Sequence, residues 1–237
     1  MSRLYFRQVL AGRDTAKGDD VARQMVNFQY IIGDRETGEA VVVDPAYDVG
    51  GLLDLLAAED LRLSGVLVTH YHPDHVGGSF LGHNVEGVAD VLAHGSVPVH
   101  VQDAEGDGVI KVTGVSETDL VRHGPGDVVQ VGQIPITLIH TPGHTPGSQC
   151  FLCEGHLVAG DTLFLEGCGR VDLPGSDAEA LYHSIHHTLA QVPDDAVLYP
   201  GHLYAADPFA SMEEVRRSNF VYRLQSLDQW KMFMGGG

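Results

Sequence analysis

The run Thr69-His70-Tyr71-His72-Pro73-Asp74-His75-Val76-Gly77-Gly78 decides how the rest of the chain is read. Four side chains of metal-ligand type, His70, His72, Asp74 and His75, fall within six positions, and imidazole and carboxylate both bind borderline divalent ions. The residues before them, Gly65-Val66-Leu67-Val68-Thr69, are short, apolar and β-branched, and predict a buried strand. The ligands therefore stand at a strand's C-terminal end. In an extended exit segment, residues two apart project to one side, so His70 and His72 can hold one ion together. Pro73 keeps His72 extended and can open a helix, whose first turn carries Asp74 and His75 and whose dipole favours the carboxylate. Gly77 and Gly78 let backbone come close. The plainer alternative is a polar loop whose histidines only form hydrogen bonds, and four ligand-type side chains at this spacing speak against it.

Working outward, residues 25–33 and 40–44 flank a polar turn at 34–39 and predict a β-hairpin closed by Asp44-Pro45. Asp44 is either a partner that orients a metal ligand or a plain turn aspartate. Residues 3–10 predict a first strand, and 12–20 a polar loop with nothing to offer the core. Val49, Leu52, Leu53, Leu56 and Ala57 recur at helical spacing, so residues 48–60 predict an amphipathic helix leading into the strand before His70. Strand, helix, strand and then ligands is an α/β order.

Downstream, residues 79–114 predict a long excursion over the site mouth, with His83, His94 and His100 at the surface. Strand character resumes over 119–140 and delivers His144 between the Pro and Gly joints of residues 140–148. A hairpin of 148–153 and 156–160 ends at Asp161. Residues 165–174 form a glycine-rich loop with Cys168, Arg170 and Asp172. Residues 177–191 predict a helix with Leu181, Ile185 and Leu189 inward, and His183, His186 and His187 largely off that stripe and solvated. A strand at 196–199 leads into Pro200-Gly201-His202, and the tail at about 211–230 reads as one amphipathic helix. No repeat or linker interrupts the 237 residues, so one domain over 1–237 is expected.

Composition bounds the function. With 43% hydrophobic residues the chain can bury a sizeable core, and no stretch approaches the ~18 consecutive apolar residues of a membrane span. The opening residues, Met1-Ser2-Arg3-Leu4-Tyr5-Phe6, lack the apolar core of a secretory signal. Cys150, Cys153 and Cys168 cannot all pair within one chain, and a cytoplasmic location is the expectation. Cys150 and Cys153 match C-x-x-C, but in a strand they point to opposite faces and read as small core residues. The formal net charge of -18 argues against nucleic acid and anionic membranes as partners. An anionic substrate would need bound metal to reverse the local field.

His70, His144, Asp161 and His202 each follow an expected strand, and strand ends are where α/β proteins gather functional groups. The motif His70-Tyr71-His72-Pro73-Asp74-His75, followed in order by His144, Asp161 and His202, resembles the metallo-β-lactamase superfamily. That resemblance implies a four-layer αβ/βα sandwich of two mixed β-sheets with helices outside and a metal site on one edge. It also implies that His70, His72 and His144 hold one divalent ion, that Asp74, His75 and His202 hold a second, and that Asp161 bridges them.

Asp161 stands where the lactamases proper usually carry cysteine. Gly160-Asp161-Thr162-Leu163-Phe164 and Gly167-Cys168-Gly169-Arg170 are similar to glyoxalase II and to the persulfide dioxygenases beside it. The implied activity is cleavage of a thioester or related ester, with zinc foremost among ions that His/Asp sets accept, iron and manganese included. Two such ions ~3.5–4 Å apart activate water and polarise the carbonyl, so no serine or cysteine nucleophile is needed.

Asp74, Arg170 and Tyr204 are the candidate catalytic residues. Arg170 either clamps a substrate carboxylate or pairs with Asp172, and Tyr204 either donates to a developing oxyanion or simply packs. The alternatives are a persulfide dioxygenase with one iron on His70, His144 and Asp161, and a lactonase or other ester hydrolase. The expected partner is a small-molecule thioester, ester or thiol conjugate, with homo-oligomer formation left open. Arg216, Arg217, Arg223 and Lys231 match no glutathione-binding motif, which leaves the thiol open as well.

Overall fold

Apolar runs in β-branched segments and alternation over residues 128–140 build two mixed six-stranded sheets, described over residues 2–234 of a computed structural model. In chain order the elements are β1 (Leu4–Leu10), α1 (Asp20–Met25), β2 (Phe28–Asp34), β3 (Glu39–Val43), α2 (Val49–Ala57), β4 (Arg62–Leu67), α3 (Pro73–Val76), β5 (Gly78–Phe80), β6 (His83–Val85) and α4 (Val88–His94). There follow β7 (Val99–Gln102), α5 (Gly106–Thr113), β8 (Leu120–His123), β9 (Val128–Val131), β10 (Ile134–His140), β11 (Gln149–Cys153) and β12 (His156–Gly160). The last are α6 (Ala178–His183), β13 (Val197–Pro200), β14 (Ala210–Ser211), α7 (Met212–Ser218) and α8 (Leu227–Met234).

The first sheet runs β1-β2-β3-β4-β7-β8 and the second β14-β13-β12-β11-β10-β9. β1, β2 and β3 pair antiparallel through short turns, whereas β3 with β4 is parallel and needs α2 as its crossover. In the second sheet only β12 with β13 is parallel. Every residue of β2 is buried, so its two faces serve two different layers. Ile31 packs outward with Val42, Val66, Leu52 and Leu56 beneath α2, while Tyr30 and Ile32 point inward to meet Ile134, Ile136 and Phe151 between the sheets. The outer face of the second sheet, Leu157 and Leu198 among it, packs on Leu181, Ile185, Val215 and Trp230 of the helices. Helix, sheet, sheet and helix are therefore four layers over three apolar seams.

The two cysteines of the C-x-x-C run divide as their spacing demands: Cys150 lies in the seam under the helices and Cys153 in the seam between the sheets. Asp34 closes the far end of the sandwich. Its carboxylate accepts Arg3 Nε and Nη2 at 3.1 and 2.7 Å and the backbone N–H of Gln133 at 2.8 Å, tying the first sheet to the turn between β9 and β10.

The loop at 12–20 holds as far as Asp19, which caps an unforeseen helix, α1, by accepting from Val21 and Ala22; α1 buries Ala22. Four sequence expectations change. The excursion at 79–114 is built structure: the β5–β6 hairpin, α4, a strand in the main sheet (β7) and α5. Its glycines and short apolar runs hide the pattern, because each element is only three to eight residues long. His100 is half-buried there, with His123 Nε2 at 2.9 Å from its Nδ1, and is not a surface residue. The tail is not one helix. Asn219 ends α7, donates to the carbonyls of Phe164 and Gly167, and accepts from the N–H of Val221 that opens a 3₁₀ turn, before α8 begins at Leu227. Trp230 of α8 is fully buried, and its indole N–H donates to the Ala178 carbonyl. Of the three histidines at 183–187, His183 and His187 are exposed, but His186 is half-buried with its ring stacked on Tyr182.

Candidate metal centre

The C-terminal ends of β4, β10, β12 and β13 lie along one edge of the sandwich, and the chain leaves each of them into a ligand-bearing segment, with β3 ending beside β4 at Asp44. β4 exits through Thr69 into His70 and His72, and α3, with Pro73 at its first position and His72 as its cap, carries Asp74 and His75. β12 ends at Gly160 and releases Asp161; β13 ends at Pro200 and releases His202. The backbone N–H of Phe28, at the start of β2, donates to the Gly201 carbonyl at 2.8 Å and pins that last segment. A Cβ on Gly201 would lie 2.3 Å from Asp161 Oδ1, so the two final ligand segments can meet only with glycine there.

These segments bring all seven expected ligands together. His70, His72 and His144 offer ligand atoms within 4.8 Å of one another, and so do Asp74, His75 and His202. Asp161 faces both triads, with Oδ1 3.5 Å from His75 Nε2 and 3.4 Å from His202 Nε2, and Oδ2 3.6 Å from His144 Nε2. His72 turns Nδ1 inward, 3.0 Å from His144 Nε2, while His75 and His202 oppose their Nε2 atoms at 3.2 Å.

The outward nitrogens explain which lone pairs point in. His75 Nδ1–H donates to Asp44 Oδ2 at 2.9 Å, His144 Nδ1–H to the Arg170 carbonyl at 2.9 Å, and His202 Nδ1–H to the Met25 carbonyl at 2.8 Å. Thr69 Oγ1 donates to Asp44 Oδ2 at 2.6 Å and so accepts from His70 Nδ1–H at 3.0 Å. Four imidazoles thereby present a bare Nε2 to the centre, the tautomer that a metal requires. His70 Nε2 and Asp161 Oδ1 are buried with no hydrogen-bond partner, an arrangement that is costly unless a cation answers it. The donor set of imidazoles and carboxylates, three per triad with one carboxylate between, fits a pair of borderline divalent ions.

The fields agree. Burial pulls the His75 imidazole down, but Asp74, Asp161 and Asp44 override it and raise it to about 10. Burial and the neighbouring His144 and His75 push His72 down to about 4. Burial alone would raise the Asp161 carboxyl, but His202, His75 and His144 hold it well below the usual carboxylate range. A cluster that must crowd imidazoles against three carboxylates is one in which a divalent ion can replace the protons.

Asp44, left between two roles by the sequence, is the orienting partner. Besides His75 it accepts the Thr69 N–H at 2.8 Å, so its oxygens are spoken for by donors. Three further residues at the site carried no signal of their own. Asn27 donates to Asp74 Oδ2 at 3.1 Å, and Tyr47 OH donates to Asn27 Oδ1 at 3.1 Å, a chain that steadies Asp74. Glu105, fully buried, accepts from the N–H groups of Tyr71 and Gly147 and from Thr145 Oγ1. A lone Asn, Tyr or Glu has no spacing to read, because its partners come from distant segments.

Above the triads opens a cavity of about 500 Å³. Met25, Phe80, Phe164, Leu173, Pro174 and the ring of Tyr204 wall it, with His72, Asp74, His144, Asp161 and His202 at its floor. Tyr204 is half exposed and stacks on His202 with centroids 4.7 Å apart. Arg170 stands at the cavity too, and of its two expected roles the ion pair is the one formed: Nε and Nη2 donate to Asp172 Oδ1 and Oδ2, both at 2.8 Å. Among the described residues, no helix is long and apolar enough to cross a membrane.

Comparison with known proteins meets this geometry. The chain is 33% identical over 207 residues to the probable polyketide biosynthesis zinc-dependent hydrolase BaeB of Bacillus velezensis, covering 87% of this chain and 86% of that one. It is 31% identical over 225 residues to the mitochondrial persulfide dioxygenase ETHE1 of Homo sapiens, covering 90% and 80%. The crystal structure of ETHE1 from Myxococcus xanthus superposes with a TM-score of 0.78 at 28% identity, covering 98% and 90%. The model of the metallo-beta-lactamase superfamily matches residues 24–202, a span that runs from just before Asn27 to the last ligand, His202, and the chain belongs to that superfamily.

Proposed function

We propose that this protein is a dinuclear metallohydrolase that cleaves a thioester or related ester whose acyl or thiol portion is apolar. The observation that carries this reading is the position of Asp161, whose two oxygens face different triads, each of which has three ligand atoms converging. When bound, the two ions lower the pKa of a water and polarise the carbonyl it attacks. His70, His72 and His144 would hold one ion and Asp74, His75 and His202 the other, with Asp161 shared.

The chain's own groups do the rest. The apolar walls exclude solvent from the floor of the cavity and strengthen electrostatic interactions there. Burial, with Asp161 and Asp74 nearby, pushes the Tyr204 phenol up to about 12, so it stays protonated near neutral pH and is a candidate donor to the developing oxyanion. The cavity's one arginine pairs with Asp172 in a solvent-exposed ion pair, and no lysine or second arginine lines the cavity. A neutral thiol carrier or an apolar acyl group suits these walls better.

The similarity to the human persulfide dioxygenase over 90% of the chain favours a second reading. There His70, His144 and Asp161 would hold one iron. Metal content per chain on protein purified without added metal, with oxygen uptake followed in the same preparation, separates the two. About two ions with thioester cleavage and no oxygen uptake supports the hydrolase. One iron with oxygen consumed on adding a thiol persulfide overturns it.

A further inference from the structure

Glu105 lies outside every element that carries a ligand, yet it touches both loops of the first triad. It ends the 3₁₀ turn after β7 and stands at the head of α5. Its Oε1 accepts the N–H of Tyr71, the residue between His70 and His72, at 2.7 Å, and the hydroxyl of Thr145, the residue after His144, at 2.8 Å. Its Oε2 accepts the N–H of Gly147 at 2.7 Å. The approach is close: a Cβ on Gly147 would lie 2.5 Å from Glu105 Oε2, and one on Gly108 of α5 would lie 2.6 Å from the Tyr71 ring.

Glu105 is itself held. Arg122 of β8 donates to the Asp103 carbonyl at 2.7 Å and to Asp107 at 2.6 Å, so the corner on either side of Glu105 is fastened to the sheet. A buried carboxylate costs free energy unless strong donors surround it. Gln at 105 would keep the shape but would aim an NH2 at an N–H, so a neutral isostere could not take all three donors. The carboxyl group joins two loops, 74 residues apart in the chain between His70 and His144, that must agree in register.

We infer that Glu105 is a positioning residue that sets the spacing of His70 and His72 against His144, so that the first triad is assembled before metal arrives. The inference rests on those three histidines being a metal triad, which the hydrolase and dioxygenase readings share. Ligands held by outer partners typically lose ~10–100-fold in metal affinity when such partners are removed.

The test is stepwise zinc binding to the metal-stripped full chain, by competition with a chromophoric chelator, in wild type, Glu105→Gln, Thr145→Val, Thr145→Ser and His144→Ala. His144→Ala identifies which step belongs to the first triad. Glu105→Gln is expected to weaken that same step ~10–100-fold and leave the other within about twofold. Thr145→Val, which removes one of the three donors and carries the test if Glu105→Gln does not fold, is expected to weaken the same step less. Thr145→Ser keeps the hydroxyl and is expected to bind as wild type does. Unchanged binding in both Glu105→Gln and Thr145→Val would overturn the inference, as would equal weakening of both steps, which would make Glu105 a general support of the fold. A wild type with no binding step at all would overturn the triad itself and the inference with it.

Discussion

Asp44 and His75 meet across the edge of the first sheet, His75 Nδ1–H donating to Asp44 Oδ2 at 2.9 Å, both side chains being almost wholly buried. Asp44 reaches that position with φ at +50°, directly after β3, and the same carboxylate holds Thr69, which in turn holds His70. One aspartate thus orients a ligand in each triad. Asp44→Asn keeps the shape and loses the charge; metal affinity is expected to fall ~10–100-fold while the far-ultraviolet circular dichroism is kept. Equilibrium dialysis against zinc checks it, and wild-type affinity in the variant would refute the orienting role.

Asp161 faces both triads, Oδ1 toward His75 and Oδ2 toward His144. Asp161→Ala is expected to abolish metal-dependent turnover with the fold retained, since the residue lies just past the end of β12 and outside the apolar seams. Retained turnover would sink the bridging assignment.

Removing the metal leaves buried groups unanswered at His70 Nε2 and Asp161 Oδ1. Each ion supplied at about a thousand times its Kd stabilises the fold by about 4 kcal/mol, or roughly 10 °C in Tm for a chain this long. Thermal unfolding with excess zinc and with chelator is the measurement. Equal Tm values in the two conditions would mean that nothing binds there.

Asp34 sets part of the acid sensitivity. Hydrogen bonding from Arg3 is the main reason its carboxyl lies below the usual carboxylate range. A group depressed in the folded state stabilises above its unfolded pKa, near 4, and that stabilisation is lost as pH falls through the lower folded value. Asp34→Ala, which leaves Arg3 Nε and Nη2 and the Gln133 N–H without their acceptor, is expected to cost about 3 kcal/mol near pH 7. The gap to wild type should narrow steadily below pH 4 in urea melts; a gap independent of pH would assign the cost to packing alone.

Tyr204 separates two readings of one ring. Tyr204→Phe keeps the stacking on His202 and removes the hydroxyl, and kcat for a thioester substrate is expected to fall about tenfold at unchanged KM. A wild-type kcat would reduce Tyr204 to a wall of the cavity.

Much of the centre was legible in the chain because its signals are local. His70, His72, Asp74 and His75 announce themselves by spacing within one strand exit and one helical turn, and His144, Asp161 and His202 by following apolar runs that end at Pro or Gly joints. The four layers were implied by the resemblance to the metallo-β-lactamase superfamily, whereas periodicity gave the individual strands and helices, as the split of Cys150 and Cys153 between two seams shows for β11. Short elements were not legible: α1, α4 and α5 bury only one or two residues each, too few for a helical stripe to stand out.

By itself the sequence determined the ligand types, the strand ends that carry them and the α/β order. Only the tertiary structure decided that Asp44 is an orienting partner, that Asn27 and Tyr47 steady Asp74, that Glu105 joins the loops of the first triad, and that Arg170 lies within hydrogen-bond reach of Asp172. The physical reason is that a hydrogen bond is satisfied by whichever donor arrives within about 3 Å, and for Asp44, Asn27 and Glu105 those groups arrive from segments tens of residues away.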